Sequence, residues 1–130
     1  MGAVDVVLNY LAAFSDADPE TIAAHVSPDF WNEHVSALGS SSRGRDEYRR
    51  RLPEFLEDFR ELRYDVETVV ADGDDVVVAY RMTARYDGID VSLRGVFRFE
   101  VKDDLIAHRV DYFDSKTFLD QIGADDTEAG

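Results

Sequence analysis

The chain has 130 residues, with 28 acidic and 14 basic side chains and a formal net charge of −14 at pH 7. This length suits one domain, no cysteine is available for disulfides or thiolate metal sites, and the histidines at positions 25, 34 and 108 lack metal-ligand spacing. The charge disfavours a nucleic-acid partner, and no apolar run approaches the roughly 18 residues of a membrane-spanning helix.

The acidic excess is mostly aspartate, with 19 Asp among the 28 acidic residues, while the basic residues are twelve Arg and two Lys. Surface carboxylates keep a chain soluble where salt screens ordinary charge repulsion. We therefore expect a halophilic host. The first residues contain neither a positive segment nor an apolar signal region, which predicts a cytoplasmic protein.

The first third of the chain predicts two helices. Apolar residues recur at helical spacing from Val4 to Phe14 and predict a helix over residues 4–15. Asp18-Pro19 then predicts a second, short helix, because Asp18 can cap it and Pro19 suits its first turn. That helix is expected to end near Ser27-Pro28.

Residues 39–44 are small and polar, which predicts a loop. From Asp46 onward apolar residues repeat every three or four positions as far as Leu62, which predicts a third and longer helix. Pro53 interrupts this pattern and predicts either a bend or a late start of the helix.

From Tyr64 the apolar period changes to two and predicts four strands, at about 64–71, 75–86, 89–100 and 105–113. Asp87-Gly88 between two of them is typical of a tight hairpin, and such short connections require antiparallel pairing. A last apolar turn ends at Gly123, and residues 124–130 are expected to form a frayed acidic tail.

Three N-terminal helices followed by an antiparallel meander predict one α+β domain over residues 1–130, in which the helices cover one face of a curved sheet. The hollow under such a sheet is the default place for a binding site. Apolar strand segments such as Val76 to Tyr80 leave surface on the opposite face, which predicts a homodimer.

Five segments occur in the order and spacing of one family. They are Phe30-Trp31-Asn32-Glu33-His34, Gly44-Arg45-Asp46-Glu47-Tyr48, the run from Val69 to Val78, Phe97-Arg98-Phe99, and Tyr112-Phe113-Asp114 with Leu119 to Gly123. Over residues 4 to 124 the chain resembles SnoaL-like proteins of the nuclear transport factor two-like superfamily, which implies a cone-shaped, cystatin-like α+β fold. This superfamily includes polyketide cyclases, ketosteroid isomerases, dehydratases, epoxide hydrolases and non-catalytic binding modules.

The resemblance implies a catalytic carboxylate. In the cyclases an Asp at the end of the last long strand is the acid/base group, and the matching residue here is Asp114. A carboxylate beside an apolar hollow is desolvated, which raises its pKa toward neutrality. The alternative role of Asp114 is to cap the helical turn that begins at Ser115. The chain departs from the family where Gly95 replaces the acid of ketosteroid isomerases.

Two histidines are further catalytic candidates. His108 shares strand parity with Asp114, so the two project from one face if no bulge intervenes, although Phe113 makes the opposite parity equally compatible with an inner face. His34 follows Trp31 in a segment that lines the pocket mouth in related folds, where it can orient or protonate a carbonyl ligand.

Arg94 is a candidate for stabilising an enolate or clamping a carboxylate, and its alternative role is an ion pair on the solvent face. Aromatic residues supply the expected apolar lining. The predicted substrate-binding set is Trp31, Tyr48, Phe55, Tyr80, Arg94 and Tyr112.

These candidates support two functional hypotheses. In the first, a small hydrophobic carbonyl compound enters the hollow, Asp114 removes a proton α to the carbonyl, and His34, His108 or Arg94 stabilises the oxyanion, with no cofactor or metal. In the second, the chain is a non-catalytic ligand-binding or dimerisation module. Gly95, the absence of a histidine between Ile89 and Glu100, and the short second hairpin favour the second hypothesis.

Overall fold

The computed structural model describes residues 2–36, 38 and 40–123. This part of the chain contains α1 (Ala3–Ala13), α2 (Pro19–Ala23), α3 (Arg45–Asp58) and α4 (Ser115–Gln121), with a 3₁₀ turn at Phe14–Asp16. Its strands are β1 (Val26–His34), β2 (Ser42–Arg43), β3 (Phe59–Asp72), β4 (Asp75–Tyr86), β5 (Ile89–Lys102) and β6 (Leu105–Phe113). The expected acidic tail, 124–130, lies outside the described residues.

The first helix and the start of the second form as their sequence predicts, whereas α2 ends at Ala23, before the predicted end near Ser27-Pro28. Val7 and Leu11 of the apolar stripe of α1 are fully buried. Asp18 caps α2 by accepting hydrogen bonds from the Glu20 N–H at 3.1 Å and the Thr21 hydroxyl at 2.8 Å, with Pro19 in the first position. A helix α3 also forms. It starts at Arg45, so the late start offered as one reading of Pro53 is wrong, and Pro53 lies within the helix.

The predicted end of the third helix is wrong. The helix stops at Asp58, and Phe59 already pairs with Tyr86 as the first residue of β3. The ladder shifts register between Arg60 and Arg63, and Glu61 between them has a φ of 56°. Because of this bulge, Phe59 and the buried Leu62 both pack inward although they are three positions apart. In the sequence this spacing is the same as that of apolar residues in a helix.

The strand β1 is missing from the sequence prediction, which ends a helix near Ser27-Pro28 and assigns no strand before Tyr64. Its pattern is obscured because Pro28 lies within an irregular stretch of the ladder, between Val26 and Trp31. This strand runs parallel to β6 and antiparallel to β2, which itself lies within the predicted loop 39–44. The sheet is therefore mixed rather than a simple meander, in the order β2-β1-β6-β5-β4-β3.

The four long strands β3 to β6 are confirmed, and neighbours along the chain pair antiparallel. At the β4–β5 hairpin Tyr86 pairs with Ile89, and both turn residues have positive φ, 51° at Asp87 and 76° at Gly88. These values are those of the tight turn that the Asp-Gly sequence predicts.

The helices pack on one face of the curved sheet, here called the inner face, and the α+β fold class is confirmed. The core between them is aromatic, with Tyr10, Phe14, Phe30, Phe97 and Phe99 fully buried. No helix among the described residues has both the length and the apolar character needed to cross a membrane.

Candidate active site

A cavity of about 610 Å³ lies between the inner face of the sheet, α3 and α4, and its exposed lining residues Leu38, Ser40 and Arg51 lie at its mouth. Its walls are mainly aromatic and aliphatic, whereas its deepest part carries polar side chains. The lining residues with a functional argument below are Asn32, His34, Tyr48, Arg51, Tyr80, Arg109 and Asp111.

The parallel pairing of β1 with β6 assembles the polar part of this cavity. Asn32 is in register with Arg109, and His34 is in register with Asp111. In β6, Glu100 pairs with His108 while Val101 pairs with Ile106, so the residue between them is a bulge. Beyond this bulge Arg109 and Asp111 face the cavity, because alternate residues of a strand share a face.

Asp111 is the buried carboxylate of the cavity, only 7% exposed, whereas the other acidic lining residues, Glu54 and Asp58, are exposed. Burial raises the pKa of Asp111, while the charge of Arg109 and a hydrogen bond from Tyr80 act in the opposite direction. The Tyr80 hydroxyl donates this bond to Oδ1 over 2.7 Å. Oδ2 is left to act on a ligand, and the raised pKa suits an acid/base group.

Tyr80 can reach Asp111 because its cross-strand neighbour is Gly95, which has no side chain in the way. It pairs with Gly95 of β5, and its ring stacks on Phe97 with centroids 4.2 Å apart. A Cβ at position 95 would lie 2.5 Å from the Tyr80 hydroxyl oxygen. The glycine that replaces the expected acid therefore makes room for the tyrosine that holds Asp111.

His34 faces the second oxygen of the same carboxyl group, with Nδ1 3.8 Å from Oδ2 of Asp111. Burial, together with the positive charges of Arg109 and Arg51, lowers the pKa of His34 to about 3. The imidazole is therefore neutral near pH 7, and the contact is not an ion pair there. A neutral imidazole can donate an N–H to a ligand oxygen without adding a charge.

A second polar cluster adjoins the first. Arg109 donates from Nη1 to the Tyr10 hydroxyl over 2.7 Å, and the Tyr10 and Tyr48 hydroxyls are 2.5 Å apart. Burial raises the pKa of both tyrosines, so both remain protonated donors. Tyr48 presents this network to the cavity.

Four residues predicted from the sequence line the cavity: His34, Tyr48, Phe55 and Tyr80. The prediction that Asp114 faces this hollow is wrong. Its carboxylate is exposed and caps α4, accepting hydrogen bonds from the backbone N–H groups of Lys116 and Thr117 and from the Thr117 hydroxyl. The hydrogen bonds from Thr117 lower the pKa of Asp114, opposite to the predicted rise.

His108 and Trp31 lie on the other face of the sheet, here called the outer face. The bulge in β6 turns His108 away from the cavity, where Nε2 lies 3.0 Å from a Glu33 carboxylate oxygen. Its ring stacks with Trp31 at 6.3 Å between centroids, and the guanidinium of Arg43 covers the indole. Neither predicted residue touches the cavity.

Arg94 and Tyr112 also belong to the outer face. Arg94 forms a bidentate pair with Glu67, at 3.0 and 2.8 Å, which is the alternative that the sequence left open. Tyr112 is 40% exposed. The assignment of both to the ligand-binding lining is wrong, because their strand parity is opposite to that of Asp111.

Sequence reasoning missed Asn32, Arg109 and Asp111. The available signal was the parity of Arg109, Asp111 and Phe113, which places two ionisable groups on the same face as an aromatic residue. Asn32 had no such signal, since its strand was not predicted. Within the described residues no group of three His, Asp or Glu side chains is arranged to hold a metal ion.

The sequence matches the family profile of the SnoaL-like domain over residues 7–109. The chain therefore belongs to the SnoaL-like domain family. No curated protein matches it in sequence.

Solved structures share the fold. A hypothetical protein with a ketosteroid isomerase-like fold from Catenulispora acidiphila, in complex with trimethylamine, has a TM-score of 0.84 and 16% identity, with 92% of this chain and 93% of that chain covered. A putative SnoaL-like polyketide cyclase from Shewanella denitrificans has a TM-score of 0.84 and 20% identity, covering 93% and 96%. An epoxide hydrolase from M. tuberculosis of the LEH-like type has a TM-score of 0.80 and 24% identity, covering 93% and 92%.

Proposed function

We propose that this chain is a cofactor-free acid/base enzyme that moves a proton on a hydrophobic carbonyl compound, with Asp111 as the acid/base group. The observation that carries the proposal is the buried Asp111 carboxyl group, held by Tyr80 and open to an aromatic-lined cavity. The similarity in fold to a putative polyketide cyclase agrees with this class of chemistry.

The arrangement supports a specific division of roles. In its ionised form, Asp111 takes the proton α to the carbonyl, the C–H electron pair moves into the enolate, and the protonated carboxyl returns the proton to carbon or oxygen. Neutral His34, next to the same carboxyl group, donates an N–H to the enolate oxygen. Tyr80 fixes the carboxyl orientation, and the aromatic walls exclude water.

Exchange of α-protons tests this proposal without knowledge of the natural substrate. The deuterium exchange of 2-tetralone is followed by proton NMR in molar KCl for wild type, Asp111→Asn and Asp114→Asn. General-base catalysis contributes roughly 10²- to 10⁴-fold, so Asp111→Asn is expected to lower the enzymatic rate by that factor. Asp114→Asn is the matched control, since asparagine caps helices as well as aspartate does.

Equal rates for wild type and Asp111→Asn would exclude Asp111 as the base. The remaining function for the cavity would then be the binding of a hydrophobic molecule by a non-catalytic module. If Asp114→Asn lost as much rate as Asp111→Asn, Asp114 would again be a candidate for the catalytic carboxylate.

We also infer that the outer face of the sheet pairs with a second copy of the chain. It exposes Val70, which pairs with Val77, and Val96, which pairs with Tyr112. These exposed apolar side chains lie in adjacent rows across four strands, and such a surface is typical of an isologous interface.

A further inference from the structure

Arg109 is a buried cation without a carboxylate partner among the described residues. It is 5% exposed, and the Tyr10 hydroxyl is its single hydrogen-bond acceptor in this part of the chain. Its Nε–H is buried with no acceptor. The guanidinium carbon lies 5.0 Å from the centroid of the Phe97 ring, so one face of the group is covered by an aromatic side chain.

Several other arginines have the carboxylate partner that Arg109 lacks. Arg94 is paired with Glu67 on the outer face, and Arg51 at the cavity mouth donates to Glu47 over 2.8 Å. A buried guanidinium has five N–H donors, and leaving them without acceptors costs free energy. Arg109 lines a cavity and has no carboxylate partner among the described residues, so it is suited to an anionic group that arrives with a ligand.

A second buried polar atom lies beside it. Asn32 is in register with Arg109 across the β1–β6 ladder and lines the same cavity, and its Oδ1 is buried with no donor among the described residues. A hydroxyl group next to a ligand anion would satisfy this oxygen. Two neighbouring side chains that each carry a buried polar atom without a partner among the described residues indicate one polar ligand subsite at this end of the cavity.

We propose that Arg109 binds the delocalised negative charge of the substrate, a carboxylate or an ionised enol, so that the substrate class is acidic carbonyl compounds with an apolar body. This inference rests on the proposed function for the reacting end of the ligand. Arg109 and Asp111 are two residues apart on one strand face, which separates their Cα atoms by about 6–7 Å. An anion held by Arg109 thus directs a nearby carbon toward Asp111.

The net charge of −14 does not oppose this assignment in a salty cytoplasm. The Debye length in 1 M salt is about 3 Å, so distant carboxylates are screened from the ligand. The buried contact with Arg109 is screened much less. Asp111 makes no direct ion pair with Arg109 among the described residues, and its Oδ1 already accepts a hydrogen bond from Tyr80.

The test compares the binding of 2-naphthoate and 2-naphthamide, which differ in charge but hardly in shape, by calorimetry in molar KCl. Hydrogen bonds to a charged group contribute about 1.5–3 kcal/mol, so wild type is expected to bind the acid roughly 10- to 100-fold more tightly than the amide. Arg109→Met is expected to lose this preference, and Arg109→Lys to retain part of it. Arg51→Met, the matched control at the mouth, is expected to keep it.

Equal affinity of wild type for the two probes overturns the proposal, as does an equal loss of preference in Arg51→Met and Arg109→Met. Circular dichroism shows whether Arg109→Met folds. If it does not, the two-probe comparison in wild type and in Arg51→Met decides. Asp111→Asn separates this site from the proposed catalysis, because it is expected to stop proton exchange while keeping the preference for naphthoate.

Discussion

The cavity-lining face of the sheet and the exposed surface outside the cavity carry the same residue types with opposite properties. Asp111 and Asp114 are three residues apart, yet burial raises the pKa of the first while hydrogen bonds from Thr117 lower the pKa of the second. Arg109 and Arg94 differ in the same way, since the first is buried without a carboxylate partner among the described residues and the second is exposed and paired with Glu67. Candidate chemistry here follows the face of the strand rather than proximity to its end.

The two faces are also expected to differ in how far the effect of a substitution spreads. Inner-face residues share one cavity and one hydrogen-bond network, so a change at one of them is expected to propagate to its neighbours. Outer-face residues are expected to respond singly, unless a second copy of the chain covers them. Substitutions on the two faces can break or sharpen this distinction.

The largest effect on stability at neutral pH is expected from Gly95→Ala on the inner face. The new Cβ would lie 2.5 Å from the Tyr80 hydroxyl oxygen and 2.8 Å from the Tyr112 carbonyl oxygen. Overpacking of this kind costs about 1–3 kcal/mol of unfolding free energy. Urea denaturation measures the loss, and tetralone exchange is expected to fall because Tyr80 is pushed away from Asp111.

A double-mutant cycle controls this result. In the Tyr80→Leu background the ring contact is absent, so Gly95→Ala is expected to cost at least about 0.5 kcal/mol less than in wild type. Additive costs would show that Gly95 and Tyr80 do not compete for the same space.

The next effect is the pH dependence contributed by His34. Its folded-state pKa is about 3, against an ordinary value of 6.5, so its contribution to stability is present above pH 6.5. That contribution is lost as the pH falls from 6.5 toward 3, because only the unfolded chain takes up the proton. The slope from this one group approaches 1.4 kcal/mol per pH unit.

His34→Gln removes this ionisation, so the variant is expected to lose less stability than wild type between pH 6.5 and pH 4 in denaturant titrations. Asp111 acts with the opposite sign, since a raised pKa favours the folded state below the ordinary aspartate pKa and loses this effect as the pH rises. Identical pH profiles for wild type and His34→Gln would place His34 in solvent rather than beside Asp111.

The smallest effect on monomer stability is expected from Val96→Lys on the outer face. Val96 is 37% exposed, and strand preferences span about 1 kcal/mol, so the change in unfolding free energy is expected to stay below that value. Sedimentation in molar salt is expected to show a dimer for wild type and a monomer for the variant, because a charge is placed at the centre of the apolar rows. Ile89→Lys, at the β4–β5 hairpin, is the control that keeps the dimer.

A monomeric wild type in that experiment would reject the dimer. The exposed valines would then be ordinary surface residues of an acidic protein. This outcome leaves the cavity and its proposed chemistry untouched, because no residue of the described site lies on the outer face.

The sequence determined the elements with strong local patterns. The apolar stripe of α1, the Asp18-Pro19 start of α2 and the Asp87-Gly88 turn are encoded by neighbouring residues, so their physical causes are visible without the fold. The order of predicted helices and strands, together with the ordered family segments, was enough to predict the fold class. The cavity lining was predicted in part, since His34, Tyr48, Phe55 and Tyr80 do line the cavity.

Only the tertiary structure decided which carboxylate enters the cavity. The bulge in β6 sets the face of Arg109 and Asp111, and the parallel partner β1 brings Asn32 and His34 beside them from 77 residues away along the chain. Neither feature has a local sequence pattern, because a one-residue bulge reverses strand parity and a parallel pair is held by contacts between distant segments. Long-range pairing therefore built the site, while local pattern built the scaffold around it.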